Sequence, residues 1–396
     1  MSSIDDEKLD LSNYTYVFAS TLNQMVNYIP IKFFGFTDMY NVTLFKDLTK
    51  NGDDGKVEEN KKWDDNLASV LKVKPQDIKI LQKNYLKISE TITKFDEKLK
   101  DKKVVWNITG GQRPFLLAVL EFTKNRHEDY IMYLEGNIGE MSITKANEFS
   151  NQKDEVCFPY KLSDDVTLET ALKLMDVKPQ SNLADSKDLN EDENSFWINV
   201  HSDYCKNEEL RKNFVMLNKK NDENGRHLTE KDKNSFWDTI YTTLKISKDC
   251  PMKAIREDSK NEYPFGYILE KMAFYVLYNK FSHQVQQIYS SVRTYNVGKQ
   301  IDEFDIIILT KQGQIINFEC KSGMMDSDVA KSTKYSTYAI AGVYGLPILI
   351  TPLLGNELEK EPKFPFNKSY DAKNAAKRAN LQVLGIDEID KIDIIK

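Results

Sequence analysis

In residues 314–321, QIINFECK, a β-period puts Glu319 and Lys321 on one face and Phe318 and Cys320 on the other. The run before it, EFDIIILT at 303–310, is apolar after Glu303 except for Asp305. A carboxylate inside such a run is costly unless it is paired or holds a cation. Folded back over residues 311–313 as a hairpin, the two strands bring Asp305 and Glu319 to one point, with Lys321 beside them. Two carboxylates are hard oxygen ligands suited to Mg²⁺ or Mn²⁺. Such an ion binds a phosphate oxygen and acidifies its own water, while a lysine adds a compact positive charge. Hydrolysis of a phosphodiester is the reaction expected, with Asp305, Glu319 and Lys321 catalytic. Glu270, on the apolar helix predicted over 266–281, is expected as a further catalytic carboxylate that binds the metal or its water shell.

The E-x-K spacing alone is weak, because Glu59/Lys61 and Glu361/Lys363 share it in polar or Pro-bearing stretches. Only the copy at 319/321 sits on a predicted strand, after a strand with an aspartate and a helix with a glutamate. The competing reading is a surface salt bridge between Glu319 and Lys321, with Asp305 capping a loop. Glu303 reads equally as a supporting carboxylate or as a solvated charge at a strand end.

The elements that must position these residues follow a change of hydrophobic period. The pattern predicts strands at 14–20, 40–45, 103–108 and 130–135, with a weak one at 77–81. Helices are expected at 61–72, 84–100 and 114–124, and an apolar stretch after the first strand is expected to be interrupted at Pro30. Strands alternating with helices predict a parallel, Rossmann-like sheet covered on both faces. Residues 180–250 turn polar and acidic around Trp197 and Trp237 and read as a connector or inserted subdomain. The last third predicts helix 266–281, strands 285–294, 303–310 and 314–321, helix 326–342 and strand 346–351. The expected fold class is α/β, divided into 1–178, a connector 179–255 and 256–396.

Composition bounds the rest. A chain of 396 residues exceeds one ordinary core. With 55 Lys+Arg against 61 Asp+Glu, the net charge of −6 argues against a nonspecific coat for nucleic acid. The whole of that deficit lies in residues 1–250; the remainder is close to balanced. Cys157, Cys205, Cys250 and Cys320 form no CxxC pair, and four scattered histidines do not suggest a His-based metal site. No long apolar run and no leader-like N-terminus are seen, so a cytoplasmic protein with no membrane partner is expected. Lys368, Lys373, Lys377 and Arg378 could touch phosphates, and Tyr289, Tyr295 and Tyr335 could stack on bases; a solvated helix face and core packing compete with those roles.

A second candidate site lies in the first half. Over the carboxyl ends of parallel strands sit Ser20, Thr21, Asn23 and Gln24, and then Asn107, Thr109, Gly110, Gly111, Gln112 and Arg113. The glycines allow close backbone approach to a phosphate, the next helix presents its positive end, and Arg113 adds a two-pronged donor. This reads as an anion or nucleotide site lacking a Walker lysine–serine pair and a full GxGxxG. A Gly-Gly turn needed only for strand-to-helix packing is the alternative.

Two resemblances sharpen both sites. GYILE, DEFDIII and INFECKSG resemble the PD-(D/E)xK (restriction-endonuclease-like) nuclease core over about residues 256–355, with Asp305, Glu319 and Lys321 on its motif and Glu270 on its first-helix glutamate. That resemblance implies that these residues bind the catalytic divalent metal and activate water. NITGGQR resembles the N-x-T-G-G-[TS]-[KR] loop of CARF domains, sensors of cyclic oligoadenylates in type III CRISPR systems; Gln112 replaces the common Thr/Ser and Arg113 the usual lysine. Together they resemble the cyclic-oligoadenylate-activated CARF nucleases. The implied protein is a prokaryotic antiviral endonuclease working as a homodimer, activated by a cyclic oligoadenylate, with cyclic tetra-adenylate favoured, and cleaving single-stranded RNA or DNA. The competing functions are a nucleotide-sensing regulator that binds without cutting and a constitutive restriction- or repair-type DNA endonuclease.

Overall fold

The computed structural model describes residues 9–47, 56–58, 61–80, 85–111, 113–148, 155–181, 183, 189–212, 231, 238, 242, 264–296, 298–322, 327–359, 373–374, 376–379 and 381–394. Gln112, Trp237, Cys250, Lys368 and both Glu361 and Lys363 lie outside the described residues. The chain divides into two units, Met1–Lys178 and Pro179–Lys396.

The first unit is built on β1 (Thr15–Ala19), whose five residues are all buried. That is the signature of a central strand covered on both faces. Helix α1 (Met25–Phe34) leads to β2 (Met39–Asp47), beyond which come β3 (Lys56–Glu58), α2 (Lys61–Leu71), β4 (Gln76–Ile80) and α3 (Tyr85–Leu99). The chain then returns to the other side of β1 as β5 (Val104–Asn107), followed by α4 (Arg113–Thr123) and β6 (Tyr130–Glu135). The parallel strands run in the order β4, β2, β1, β5, β6, so the direction of winding reverses between β1 and β5. The expected parallel sheet is therefore present. It is extended by antiparallel strands the periodicity did not reveal, β3 on β2, then β7 (Glu140–Lys145) and β8 (Val156–Pro159) beyond β6. A short helix, α5 (Leu168–Lys173), closes the unit, its first turn capped by the Thr167 hydroxyl accepting from the Thr170 N–H.

One expectation is corrected. The stretch thought to break at Pro30 is a continuous helix, α1. Pro30 has no N–H to give to the Val26 carbonyl, and its ring strains the turn. The Val26 oxygen is instead satisfied from outside the helix by the Asn107 side-chain amide at 3.0 Å. The missing bond has been replaced by a sheet-to-helix bond.

The second unit opens with the short strand β9 (Lys178–Pro179) and α6 (Glu191–Lys206), both from the polar stretch. Along α6 the residues Trp197, Val200 and Tyr204 recur at helical spacing, and all are buried in the second unit's core with Leu269, Met272, Phe318 and Ile350. Helix α7 (Pro264–Phe281) lies in the same core. It is followed by β10 (Gln287–Asn296), β11 (Lys299–Leu309) and β12 (Ile315–Cys320), which form an antiparallel meander, then by α8 (Ser327–Ala341) and β13 (Leu346–Thr351). β13, and β14 (Gln382–Gly385) after helix α9 (Gly355–Glu359), run parallel to β12, so the sheet order is β14, β13, β12, β11, β10, β9. Ile306, Ile308, Ile316, Phe318 and Cys320 point into the core, which leaves the odd-numbered positions of β11 and β12 on the opposite face.

Asp129 is the main charged anchor of the first unit. At 1% exposure it accepts from the Val104 N–H at 3.2 Å, the Trp106 indole at 2.9 Å and the Arg126 guanidinium at 2.5 Å. Arg126 also reaches the Leu99 and Lys102 carbonyls, so one buried pair ties α3, β5 and β6 together. Removing one member of such a pair leaves a buried charge without its partner. Asp129→Ala is expected to destabilise this unit by about 3 kcal/mol, read from the urea midpoint of its unfolding transition. A shift under about 0.5 kcal/mol would show that the pair is only a surface ornament.

Candidate functional site

At the end of the β11–β12 hairpin the two chains pair with Ile306 opposite Phe318 and Ile307 opposite Asn317. One step further, the antiparallel register sets Asp305 opposite Glu319, and directly opposed residues share a face. The turn that fixes this register is closed by the Thr310 N–H to the Gln314 carbonyl at 2.9 Å, with Gly313 in the left-handed region at φ 83°. Lys321 lies just past the strand; its ammonium is 2.5 Å from Glu319 Oε1, and its N–H donates to the Ile350 carbonyl of β13. Asp305 Oδ2 accepts from the Cys320 N–H at 2.6 Å.

Glu270 reaches the same place from α7. Burial, and then the charges of Glu303 and Glu319, push its carboxyl up to about 7, against the pull of Lys321. Asp305 is raised well above the usual carboxylate range by burial first, and next by Glu270 and Glu319. Burial works to lower Lys321, but the Glu319 carboxylate outweighs it and the ammonium is held above its ordinary value. Gly266 sits one turn before Glu270, and a Cβ there would make ordinary contacts with Glu270 Oε1 at 3.5 Å and the Ser322 hydroxyl at 3.9 Å. Glu303 is exposed and pairs with Arg293 across the strands at 3.1 Å, and its charge raises Glu270.

Among the described residues no group of three or more His, Cys, Asp or Glu side chains is arranged to hold a metal ion. The donor chemistry nevertheless fits a hard divalent cation. Asp305 and Glu319 face one another, Glu270 lies behind them, and Lys321 offsets their charge, with a smaller pull from Lys271 on Glu270. Mg²⁺ needs no more than one or two protein carboxylates and fills its remaining positions with water or phosphate oxygens.

In the first unit, the loops after β1 and β5 stand side by side, because those strands are neighbours at the reversal of winding. Open α/β sheets bind ligands at that point. The two loops touch: a Cβ at Gly110 would meet Thr21 Cγ2 at 3.0 Å, and one at Gly111 would meet Ala19 Cβ at 2.6 Å. Gly111 also has φ 87°, a conformation that disfavours any side chain. Arg113, exposed, begins α4, and Pro114 in its first turn sacrifices no helix bond. The Asn23 side-chain Oδ1 accepts from the Met25 N–H at the start of α1, and the Thr109 hydroxyl accepts from the Leu134 N–H at 2.7 Å. Thr21 is half-buried beside Gly110. Ser20 Oγ is buried without a hydrogen-bond partner among the described residues, as are Asn41 Oδ1 and Thr43 Oγ1 on the same sheet face. Such orphaned atoms are met by water or ligand in folded proteins.

Two expected ligand contacts point the other way. Asn107 is fully buried, its amide directed at the Tyr16 hydroxyl, the Val26 carbonyl and Asn27 Oδ1, while its own oxygen accepts from the Thr109 N–H. Gln24 is also fully buried, giving its amide to Asp64 and accepting from the Asn27 amide. Both side chains therefore shape the loops from beneath instead of reaching outward. Asn27, which completes this network, was not anticipated; a lone amide in the apolar run MVNYIP was its only signal.

Known proteins place the fold. The Card1 CARF domain family model matches residues 38–164. Among solved structures, protein VC1899 from Vibrio cholerae is similar at a TM-score of 0.65, with 14% identity over 96% of this chain and 95% of that one. Can2 from Sulfobacillus thermosulfidooxidans, in complex with cyclic tetra-adenylate, is similar at 0.63, with 14% identity over 96% of each chain. Identity that low speaks to fold only, and no curated protein matches the chain. The protein thus pairs a Rossmann-like sheet, matched by the CARF model, with a second α/β sheet unit, and no described helix is long and apolar enough to cross a membrane.

If Asn107 works from beneath, its loss must register as stability. Asn107→Ala leaves the Val26 carbonyl and the Thr109 N–H without partners and is expected to destabilise the first unit by about 2 kcal/mol. Thermal unfolding checks this; an unchanged midpoint with weakened ligand binding would return the residue to the ligand surface.

Proposed function

We propose that the protein is a cyclic-oligoadenylate-activated, divalent-metal-dependent endonuclease of type III CRISPR defence. The observation that carries this reading is the cross-strand pair Asp305 and Glu319, with Lys321 bound to Glu319 and Glu270 behind, in a chain whose other unit matches a CARF domain. Supporting the choice of activator, the similar Can2 structure holds cyclic tetra-adenylate.

In this reading Asp305 and Glu319 hold Mg²⁺ or Mn²⁺, with Glu270 at its water shell. When bound, the metal supplies charge to the scissile phosphate and acidifies a water. The chain's own groups orient that chemistry. The Cys320 N–H fixes Asp305, and the strand pairing holds its carboxyl toward Glu319. Lys321, held charged by Glu319, places an ammonium beside the attacked phosphate, where it stabilises developing negative charge. In the first unit the loops 20–24 and 107–113 cradle the ring, Gly110 and Gly111 giving backbone approach and Arg113 and the start of α4 meeting its phosphates. A homodimer suits a two-fold symmetric ring, since one patch then serves both halves.

The test is cleavage of labelled single- and double-stranded RNA and DNA, with Mg²⁺ or Mn²⁺, in the presence and absence of cyclic tri-, tetra- and hexa-adenylate. Single strands are expected to be cut only with metal and activator together. Glu319→Gln and Lys321→Ala are expected to lower the rate by about a hundredfold or more without loss of cyclic-oligoadenylate binding, while Arg113→Ala weakens activation. Full cleavage in EDTA, or equal cleavage without activator, overturns the reading.

A further inference from the structure

Helix α8 lies on the sheet face that carries Glu319. Asn317, two residues before Glu319 on the same face, donates from its side-chain amide to the Thr337 hydroxyl at 2.9 Å, fully buried. Ala330, Thr333, Thr337 and Ile340 are the inward residues of α8, all at most 3% exposed. Its outward ridge is unusual. Tyr335 is 76% exposed and Tyr338 49%, one turn apart. Among the described residues neither ring stacks on another aromatic or accepts a cation.

Solvent-facing tyrosines in this pairing are poor surface residues unless something covers them. The same ridge carries Lys331, whose link to Asp328 is an exposed pair at 3.2 Å, 71% and 83% exposed. Such a pair contributes little and gives way readily to a stronger anion. Lys334, also exposed, donates to the Ala379 carbonyl at the foot of the helix. Aromatic faces interleaved with lysines are what a single nucleic-acid strand needs: bases stack on the rings and phosphates meet the ammonium groups. In a duplex the base faces are already stacked on one another and cannot reach these rings.

We infer that the Lys331, Tyr335, Tyr338 ridge of α8 is a stacking platform for single-stranded nucleic acid, holding the strand that is cut at Asp305 and Glu319. This rests on the nuclease reading above and gives that site its preference for unpaired strands. Tyr289 is buried and Tyr295 half-buried, so the platform is on α8 and not on β10.

The experiment keeps the two proposals apart by measuring binding in the Glu319→Gln background, with cyclic tetra-adenylate present. The probe is a labelled single-stranded oligonucleotide of about 16 nucleotides, compared with its duplex and with an abasic strand of equal length. The double variant Tyr335→Ala/Tyr338→Ala is expected to weaken single-strand binding about tenfold or more, with the abasic strand and the duplex little affected. In the cleavage-competent protein the same change raises KM and leaves kcat within about twofold. Should the double variant fold poorly, Tyr335→Trp serves instead: its emission is quenched by the normal strand and not by the abasic one. Unchanged affinity, or equal loss for normal and abasic strands, overturns the platform. So does conversion of a dimer to a monomer by the double variant in sedimentation, which would make this ridge a subunit contact. Stacking without any cleavage would leave the platform standing and remove the nuclease reading.

Discussion

The register of one hairpin governs the second unit. β12 alternates between core residues, Ile316, Phe318 and Cys320, and the opposite-face set Asn317 and Glu319, which Lys321 continues. Because side chains alternate with a period of two, a slip of one residue would turn Glu319 into the core beside Leu269 and Met272 and expose Phe318. That outcome is costly enough to make the register nearly unique. Thr310, Gly313 and Gln314 close the turn that locks it, and only in that register do Asp305 and Glu319 face one another. The price is electrostatic: three carboxylates crowd one partly buried space with one ammonium among them. Repulsion of this kind raises Glu270 and Asp305, and the divalent cation of the proposed reading would relieve it.

The first unit solves a different problem, how to hold two loops open at the reversal of a parallel sheet. Its solution is a buried amide network beneath them. Asn107 reaches from β5 to Tyr16 on β1 and to α1, Asn27 bridges Gln24 and the Ala19 carbonyl, and Gln24 continues to Asp64 on α2. A network whose members are satisfied in one arrangement makes that arrangement rigid. Pro30 belongs to the same design, since the carbonyl it frees is where Asn107 attaches. Rigid support below leaves Gly111 and Arg113 exposed on the outer side of the loops, where the proposed ring would lie.

Much of this was legible from the amino-acid order. The hairpin at 303–321 and the buried strand at 14–20 declare themselves by period, and Gly110 and Gly111 by the turn they permit. What could not be read was direction. Asn107 and Gln24 have the residue types of ligand contacts, and only the positions of Tyr16, Val26 and Asp64 in space show them facing inward. The β7–β8 extension was hidden because β7 only returns β6 over a short turn around Gly139 and β8 is largely exposed, giving little alternation to detect. Tyr335 was ambiguous for a related reason: burial alone decides which face of α8 it occupies.

The polar stretch at 180–212 shows how an average composition can mislead. Its acidic residues Glu191, Asp192 and Glu193 occupy the first turn of α6, where they favour the positive end of the helix. Trp197, Val200 and Tyr204 meanwhile line one stripe and enter the core. The helix is then bolted to the end of β13: the Tyr204 hydroxyl donates to the Pro352 carbonyl at 2.9 Å. Arg211 joins its last turn to α9, giving hydrogen bonds to the Tyr204 and Cys205 carbonyls and a 2.8 Å contact to Glu357. Lysine could not replace it, because the planar fork makes these contacts in fixed directions at once. β13 in turn supplies the Ile350 carbonyl that receives the Lys321 N–H. A segment that reads as a connector or inserted subdomain therefore buttresses the strand on which the backbone of Lys321 rests, and the position of that ammonium depends on a helix with no catalytic group of its own.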